Sequence, residues 1–286
     1  MEQASAKDRS NVLYNATVRV VAENENARVI RVVPAGPKVR YLGGQYGCLG
    51  LVSNRDGAQM VKRPYSVSSS IVDDAGALID HNETDYYEFY FNLVQPQPNR
   101  ESLTEKLFRL KDNDGVFCGS KITGYFTAED VPADRNTLLV ASTTGEAATN
   151  ALAAQWLLDG RDGKVCSVTV GPDGWETLYR GHHDRLMRSR PDYRYDLRKG
   201  GPAALEKHLE RCCRDEGYSQ ESLGFALRPQ DCHVFLCGDP DMIGAPRKKG
   251  AWACEPSGGA IKVLEAFAFS VNTKFKQGNI EYETYW

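Results

Sequence analysis

Near residue 130 the hydrophobic pattern of this 286-residue chain changes period, and that change limits what it can fold into. Before it, short runs rich in β-branched and aromatic residues, at 14–21, 29–33, 46–53, 64–68 and 86–94, are separated by Gly, Asn and Asp turn signals. Short strands of this kind predict an antiparallel barrel or sandwich, interrupted here by one helix over 103–110. After residue 135, apolar strands at 137–141, 164–170, 193–197 and 233–237 alternate with helical stretches. One of these is rich in Ala and Leu and stops at Gly160, another runs through Leu186, and a third covers 202–215. The alternation predicts a parallel sheet with helices on its faces. The expected fold is therefore α+β in two domains, an antiparallel barrel over 10–130 and a parallel-sheet α/β domain over 131–286. Ligands of such a sheet sit outside the carboxyl ends of its strands, here 141–145, 170–174 and 237–241.

Composition excludes several functions. A net charge of −3 gives no basic footprint for covering nucleic acid, although it is silent on a local basic patch. There is no run of 18 apolar residues, and the mean hydropathy is −0.48, so no membrane span is expected. The opening MEQASAKDRS has no apolar core of a secretory signal, which predicts a cytoplasmic setting. The eight cysteines, at 48, 118, 166, 212, 213, 232, 237 and 254, contain no C-x-x-C pair. Neither a disulfide framework, a zinc site nor a plant-type iron–sulfur module is favoured, and no metal is expected.

Four segments carry candidate chemistry. In Arg63-Pro64-Tyr65-Ser66 an Arg can pair with a phosphate, a Tyr can stack on a flat ring and a Ser can bond its edge. The same residues also suit an exposed barrel strand with no ligand. Gly44, Gly47 and Gly50 precede a strand and open no helix, so they read as a turn and not as a dinucleotide fingerprint. Thr104 is placed to cap the helix over 103–110, either structurally or toward an anionic phosphate. The segment Glu281-Tyr282-Glu283-Thr284-Tyr285-Trp286 puts two aromatic rings where chains usually fray, which suits docking on a flat apolar group or packing of a last strand.

Taken in order, Arg63-Pro64-Tyr65-Ser66, the strand 89–94, Leu103-Thr104, Gly124-Tyr125-Phe126-Thr127, HVFLCGDPDMIG (233–244) and GNIEYETYW (278–286) resemble the ferredoxin–NADP reductase family in its bacterial form. The resemblance runs from about residue 15 to 286 and implies an FAD-binding barrel followed by an NADP-binding domain. It implies that Arg63 holds the FAD pyrophosphate with Pro64 beside it, that Tyr65 packs on one flavin face, and that Ser66 lies near N5. Asn92, Leu93 and Val94 would line the FAD, and Thr104 would meet its phosphates. Tyr285 would stack on the other flavin face until the nicotinamide displaces it, Trp286 would cover flavin or adenine, and Glu283 would serve proton transfer. Cys237 would line the nicotinamide site. Thr144 is assigned to the cofactor, and Thr143, Gly145, Gly238 and Asp239 to the nucleotide substrate. The implied activity is electron exchange between NADP(H) and a small carrier, ferredoxin or flavodoxin, through FAD.

The second domain departs from the family pattern. Its Gly-Thr-Gly turn reads Thr143-Thr144-Gly145, its Val-Arg-Tyr reads Gly171-Pro172-Asp173, and a Thr-Arg-Glu segment is missing, leaving Arg198 and Lys199 as the substitute phosphate partners. These changes predict that the preference for NADPH over NADH is small. They also keep open an NADH-using flavin or cytochrome reductase, or an FAD-binding module without nicotinamide turnover.

Overall fold

Six antiparallel strands, β1 (Ala16–Glu23), β2 (Ala27–Pro34), β3 (Tyr46–Val52), β4 (Met60–Ser68), β5 (Tyr87–Asn92) and β6 (Gly115–Cys118), close into a barrel in the order β1-β2-β5-β4-β3-β6. The computed structural model describes residues 14–53, 59–93, 102–245, 247–249, 252–254 and 258–285. In β1, ATVRVVAE buries every other residue at its start, as a strand with one wet face must. The barrel closes where Ala16 and Thr17 pair with Val116 and Gly115 of β6. Val18, Ile30, Leu49, Val67, Phe89 and Val116 fill it. Helix α1 (Leu103–Phe108) docks on it through Leu103 and Leu107.

The second half folds as β7 (Asn136–Ser142), α2 (Glu146–Leu158), β8 (Val165–Gly171), α3 (Arg180–Ser189), β9 (Tyr193–Lys199), α4 (Gly201–Arg214), α5 (Glu216–Leu223), β10 (Cys232–Gly238), α6 (Pro240–Ile243), β11 (Arg247–Lys249), β12 (Trp252–Cys254), α7 (Ala260–Glu265) and β13 (Ile280–Thr284). Strands β13-β10-β7-β8-β9 form one sheet in that order, every pair parallel. Each residue of β8 (VCSVTVG) and β10 (CHVFLCG) is buried, which is why these segments read as continuous runs and not as alternation. Helix α4 buries Leu205, His208, Leu209 and Cys212, one stripe at three- and four-residue spacing. The helix expected over 202–215 stops at Arg214 because Asp215 caps α5, its carboxylate accepting from the Tyr218 N–H at 3.0 Å. Among the described residues no helix is long and apolar enough to cross a membrane.

From β7 the chain builds β8 and β9 to one side, then returns to place β10 on the other. The strand order reverses between β7 and β10, so a crevice opens above Ser142 and Gly238. The barrel covers it. Ala27, Val29 and Tyr90 of the barrel pack against Ala147, Trp175 and Tyr179. Two fully buried carboxylates lie beside this contact, and Glu88 bonds across it. Glu88 of β5 accepts from Tyr179 Oη at 2.9 Å, from Ser70 at 2.8 Å and from Arg31 at 3.0 Å. Glu146, at the start of α2, accepts from Tyr195 Oη at 2.9 Å, Thr169 at 3.2 Å and Thr177, and faces His183 Nε2 at 3.0 Å. Buried charges persist only when so many donors face them. Residues 177–179 touch both carboxylates, and thereby tie barrel to sheet.

Candidate active site

Between the barrel and the crevice lies a cavity of about 790 Å³. Strands β4 and β5 and helix α1 supply Pro64, Tyr65, Ser66, Tyr90, Phe91, Asn92 and Thr104. The strand ends supply Ser142, Thr143, Thr144, Gly238, Asp239 and Asp241, and β13 closes the cavity with Glu283, Thr284 and Tyr285. Eleven of the residues singled out in the sequence meet here: Pro64, Tyr65, Ser66, Asn92, Thr104, Thr143, Thr144, Gly238, Asp239, Glu283 and Tyr285.

The strand pairing explains the barrel side. Pro64 sits on β4 opposite Cys48, and the chain turns inward so that Tyr65 is half-buried and Ser66 buried. Tyr46 pairs with Ser66 across β3 and β4, and so lines the cavity without any sequence signal of its own. Tyr65 packs on Phe91 with ring centres 5.8 Å apart, and its hydroxyl lies 3.3 Å from Thr104 Oγ1. Thr104 is therefore not the helix cap expected from the sequence. Ser102 holds the cap position of α1, and the Thr104 hydroxyl is turned toward Tyr65.

The strand-end side is made of backbone. Gly145 is fixed because a Cβ there would stand 2.4 Å from the Cys237 carbonyl oxygen. Gly238, at φ +124°, would place a Cβ 2.2 Å from Ser142 Oγ. Thr143 has φ +44°, a left-handed conformation that costs a β-branched residue about 1–3 kcal/mol. Its hydroxyl accepts from Asn92 Nδ2 at 3.2 Å, a bond that bridges barrel and sheet.

Tyr285 donates to Ser66 Oγ at 2.6 Å, while its backbone N–H is held by the Gly238 carbonyl at 3.0 Å. Burial raises its phenol well above the usual range, so it acts as a neutral donor. Burial likewise pushes Glu283 up to about 7. A carboxyl tuned near neutrality suits proton transfer.

Six expected residues lie outside the lining. Arg63 is exposed one position before Pro64, its guanidinium on the Lys62 carbonyl at 2.8 Å. Leu93 follows β5 just beyond Asn92, and Gly145 is buried behind the turn. Cys237, which the resemblance puts at the nicotinamide site, is wholly buried in the sheet core with Tyr285 packed against its cluster, because β10 is covered on both faces. Arg198 and Lys199 end β9 in ion pairs with Asp196, at 2.6 Å, and Glu176, at 3.0 Å. Val94 and Trp286 lie outside the described residues.

The residues present suit a flavin nucleotide. Two buried acceptors on cavity-lining residues, Asn92 Oδ1 and Glu283 Oε2, have no hydrogen-bond partner among the described residues, as expected where a ligand completes the set. Tyr65 and Tyr285 offer two aromatic rings, and Thr104 and Thr144 offer hydroxyls.

No family model and no curated protein matches the sequence. Solved structures do share its fold. A ferredoxin NADP+ reductase from Neisseria gonorrhoeae with bound FAD and NADP matches with a TM-score of 0.67 at 16% identity, covering 94% of this chain and 97% of its own. The CS-b5R domains of human Ncb5or in the NAD+ form match at 0.66 and 15%, over 93% and 68%. The ferredoxin-NADP+ reductase of Plasmodium falciparum with 2'P-AMP matches at 0.61 and 15%, over 96% of each chain. Barrel, switch-point crevice and covering β13 thus place this chain in the two-domain fold of ferredoxin–NADP+ reductases and related FAD- and NAD-binding reductases.

Proposed function

We propose that the cavity holds FAD and that the protein is a flavin oxidoreductase exchanging electrons between a nicotinamide dinucleotide, NADP(H) in the resemblance, and a small carrier such as ferredoxin or flavodoxin. The observation that carries this reading is the Tyr285–Ser66 hydrogen bond at 2.6 Å, which joins strand β13 to the Arg63-Pro64-Tyr65-Ser66 strand across one cavity. FAD, when bound, supplies the conversion between hydride and single-electron chemistry. Residues 10–130 would hold it, and residues 131–286 would present the nucleotide at the crevice. Tyr65 and Tyr285 supply ring faces, Ser66 and Asn92 bond the ring edge, and Arg63 and Thr104 meet phosphate. Glu283, with its pKa near neutrality, holds or gives up a proton beside the reacting centre. Cys237 supports Tyr285 from behind. The cysteines whose side chains are described are all free, which suits a reducing, cytoplasmic setting.

A second reading, an FAD-binding module without nicotinamide turnover, is favoured by the strained Thr143 at the turn where a nucleotide must approach. Titration of purified protein with FAD, followed by NADH and NADPH oxidation with ferricyanide, tests both. Stoichiometric uptake of yellow cofactor is expected, and Arg63→Ala should weaken it by about 1.5–3 kcal/mol, the worth of one charge-assisted contact. A protein that takes up no FAD ends the proposal. One that takes it up and oxidises neither nucleotide leaves the second reading.

A further inference from the structure

The crest of β8 and β9, next in the sheet to the β7 end that lines the cavity, has a charge arrangement of its own. The two strands run in register to their last pair, Gly171 with Lys199. The chain leaves β8 in a tight turn, the Trp175 N–H donating to the Pro172 carbonyl at 3.1 Å with Gly174 at φ +81°. The turn lifts Asp173 to the exposed crest, where no hydrogen bond or ion pair engages its carboxylate among the described residues. Trp175 then folds back onto Gly171, at which a Cβ would stand 2.5 Å from the indole. The nearby cations are already neutralised. Arg198 pairs with Asp196 at 2.6 Å, and Lys199 bonds Glu176 at 3.0 Å and the Trp175 carbonyl.

In an open parallel sheet a dinucleotide lies across the strand ends at the switch point, its adenosine ribose near the end of the second strand of the β-α-β unit. Here that strand is β8, and the residue at its crest is Asp173. A carboxylate accepts hydrogen bonds from free ribose hydroxyls. A 2'-phosphate in the same place meets like charge and needs a cationic fork. To supply one, Arg198 or Lys199 would have to abandon Asp196 or Glu176 and leave a second acid unpaired beside the phosphate.

We propose that Asp173, with Arg198 and Lys199 held by Asp196 and Glu176, makes the β8–β9 crest select an adenine dinucleotide without a 2'-phosphate, so that NADH is used more efficiently than NADPH. The inference rests on the flavin oxidoreductase reading and goes beyond it, since the resemblance implies NADP(H). It assigns to Asp173 the choice of nucleotide, with no part in the hydride step.

Two measurements test it. On FAD-loaded protein, kcat/KM for NADH should exceed that for NADPH about tenfold, Asp173→Asn should narrow the ratio, and Asp173→Arg should reverse it. On the protein with or without FAD, calorimetric titration should find 5'-AMP bound more tightly than 2'P-AMP, with the order inverted in Asp173→Arg. The variants sit in an exposed turn, and their melting curves should match the parent. Equal or better use of NADPH, tighter binding of 2'P-AMP, or binding of neither mononucleotide at millimolar concentration would overturn the inference. Failure to take up FAD would instead end the functional reading, while the mononucleotide titration still decides this one.

Discussion

On the barrel side of the cavity the chemistry is carried by side chains, Tyr65, Ser66, Asn92 and Thr104, while on the strand-end side it is carried by backbone packed too closely for a Cβ at Gly145 or Gly238. The barrel residues have spare capacity: among the described residues Asn92 Oδ1 is unpartnered, and the Tyr65 and Thr104 hydroxyls pair only loosely at 3.3 Å. The strand ends offer the Thr144 hydroxyl, but their backbone has little room to move. Their turn is fixed from behind by β10, and at Thr143 it is strained. A cofactor can thus be accommodated on the barrel side by side-chain adjustment, whereas the crevice side accepts only what its backbone already fits.

The largest effect that would sharpen this contrast is expected at Gly145. A methyl group there must displace the Cys237 carbonyl, which is pinned in the sheet. Gly145→Ala should cost about 2–4 kcal/mol in denaturant unfolding. A loss below about 0.5 kcal/mol would show the strand ends to be pliable, and the contrast would fall.

Glu283 comes next, because it joins the two sides. Its pKa in the fold is raised by burial from the ordinary 4.5 to about 7. Between those values the native state binds more protons than the unfolded one. Stability from this group is therefore full below about pH 4.5 and is lost as pH rises through 7. Glu283→Gln should be about 2–3 kcal/mol more stable than the parent at pH 8 and nearly equal at pH 5, as urea titrations at the two values would report. An equal gain at both would assign the effect to packing and not to charge.

The smallest effect is at Thr143. Glycine relieves the φ +44° conformation but adds freedom to the unfolded chain, so Thr143→Gly should change stability by less than about 1 kcal/mol. Its telling readout is nucleotide affinity, which should rise if strain and bulk at this turn hold the ligand off. Unchanged affinity would remove Thr143 from the account of the crevice.

Much of this architecture was legible in the sequence because it depends on period. Alternation in β1 and the continuous runs of β8 and β10 are direct consequences of one wet face or none. Pro64-Tyr65-Ser66 and Tyr285 were legible through the order of segments that carries the family resemblance, since their residue types alone suit an ordinary strand equally well. Contacts between distant strands were not. Tyr46 reaches the cavity only through its register with Ser66, and Glu146 reads as an ordinary first-turn acid although it is wholly buried among Thr169, Thr177, His183 and Tyr195. Nor does the sequence show that Cys237 is wholly buried behind Tyr285: a one-dimensional string shows that a residue ends a strand, but not which side of the backbone it faces.

The loop after β8 has a consequence for how this chain can vary. Thr177 and Tyr179 grip Glu146 and Glu88, and Trp175 seals Gly171 and holds Lys199. Trp175 and Tyr179 are thus also rivets between the two halves of the molecule. Substitution at these positions costs cohesion whatever it does to the crest. The Asp173 side chain makes no such contact among the described residues. If Asp173 sets nucleotide choice as proposed, a change there alters preference without loosening the joint between the halves, a narrow gate on an otherwise riveted segment.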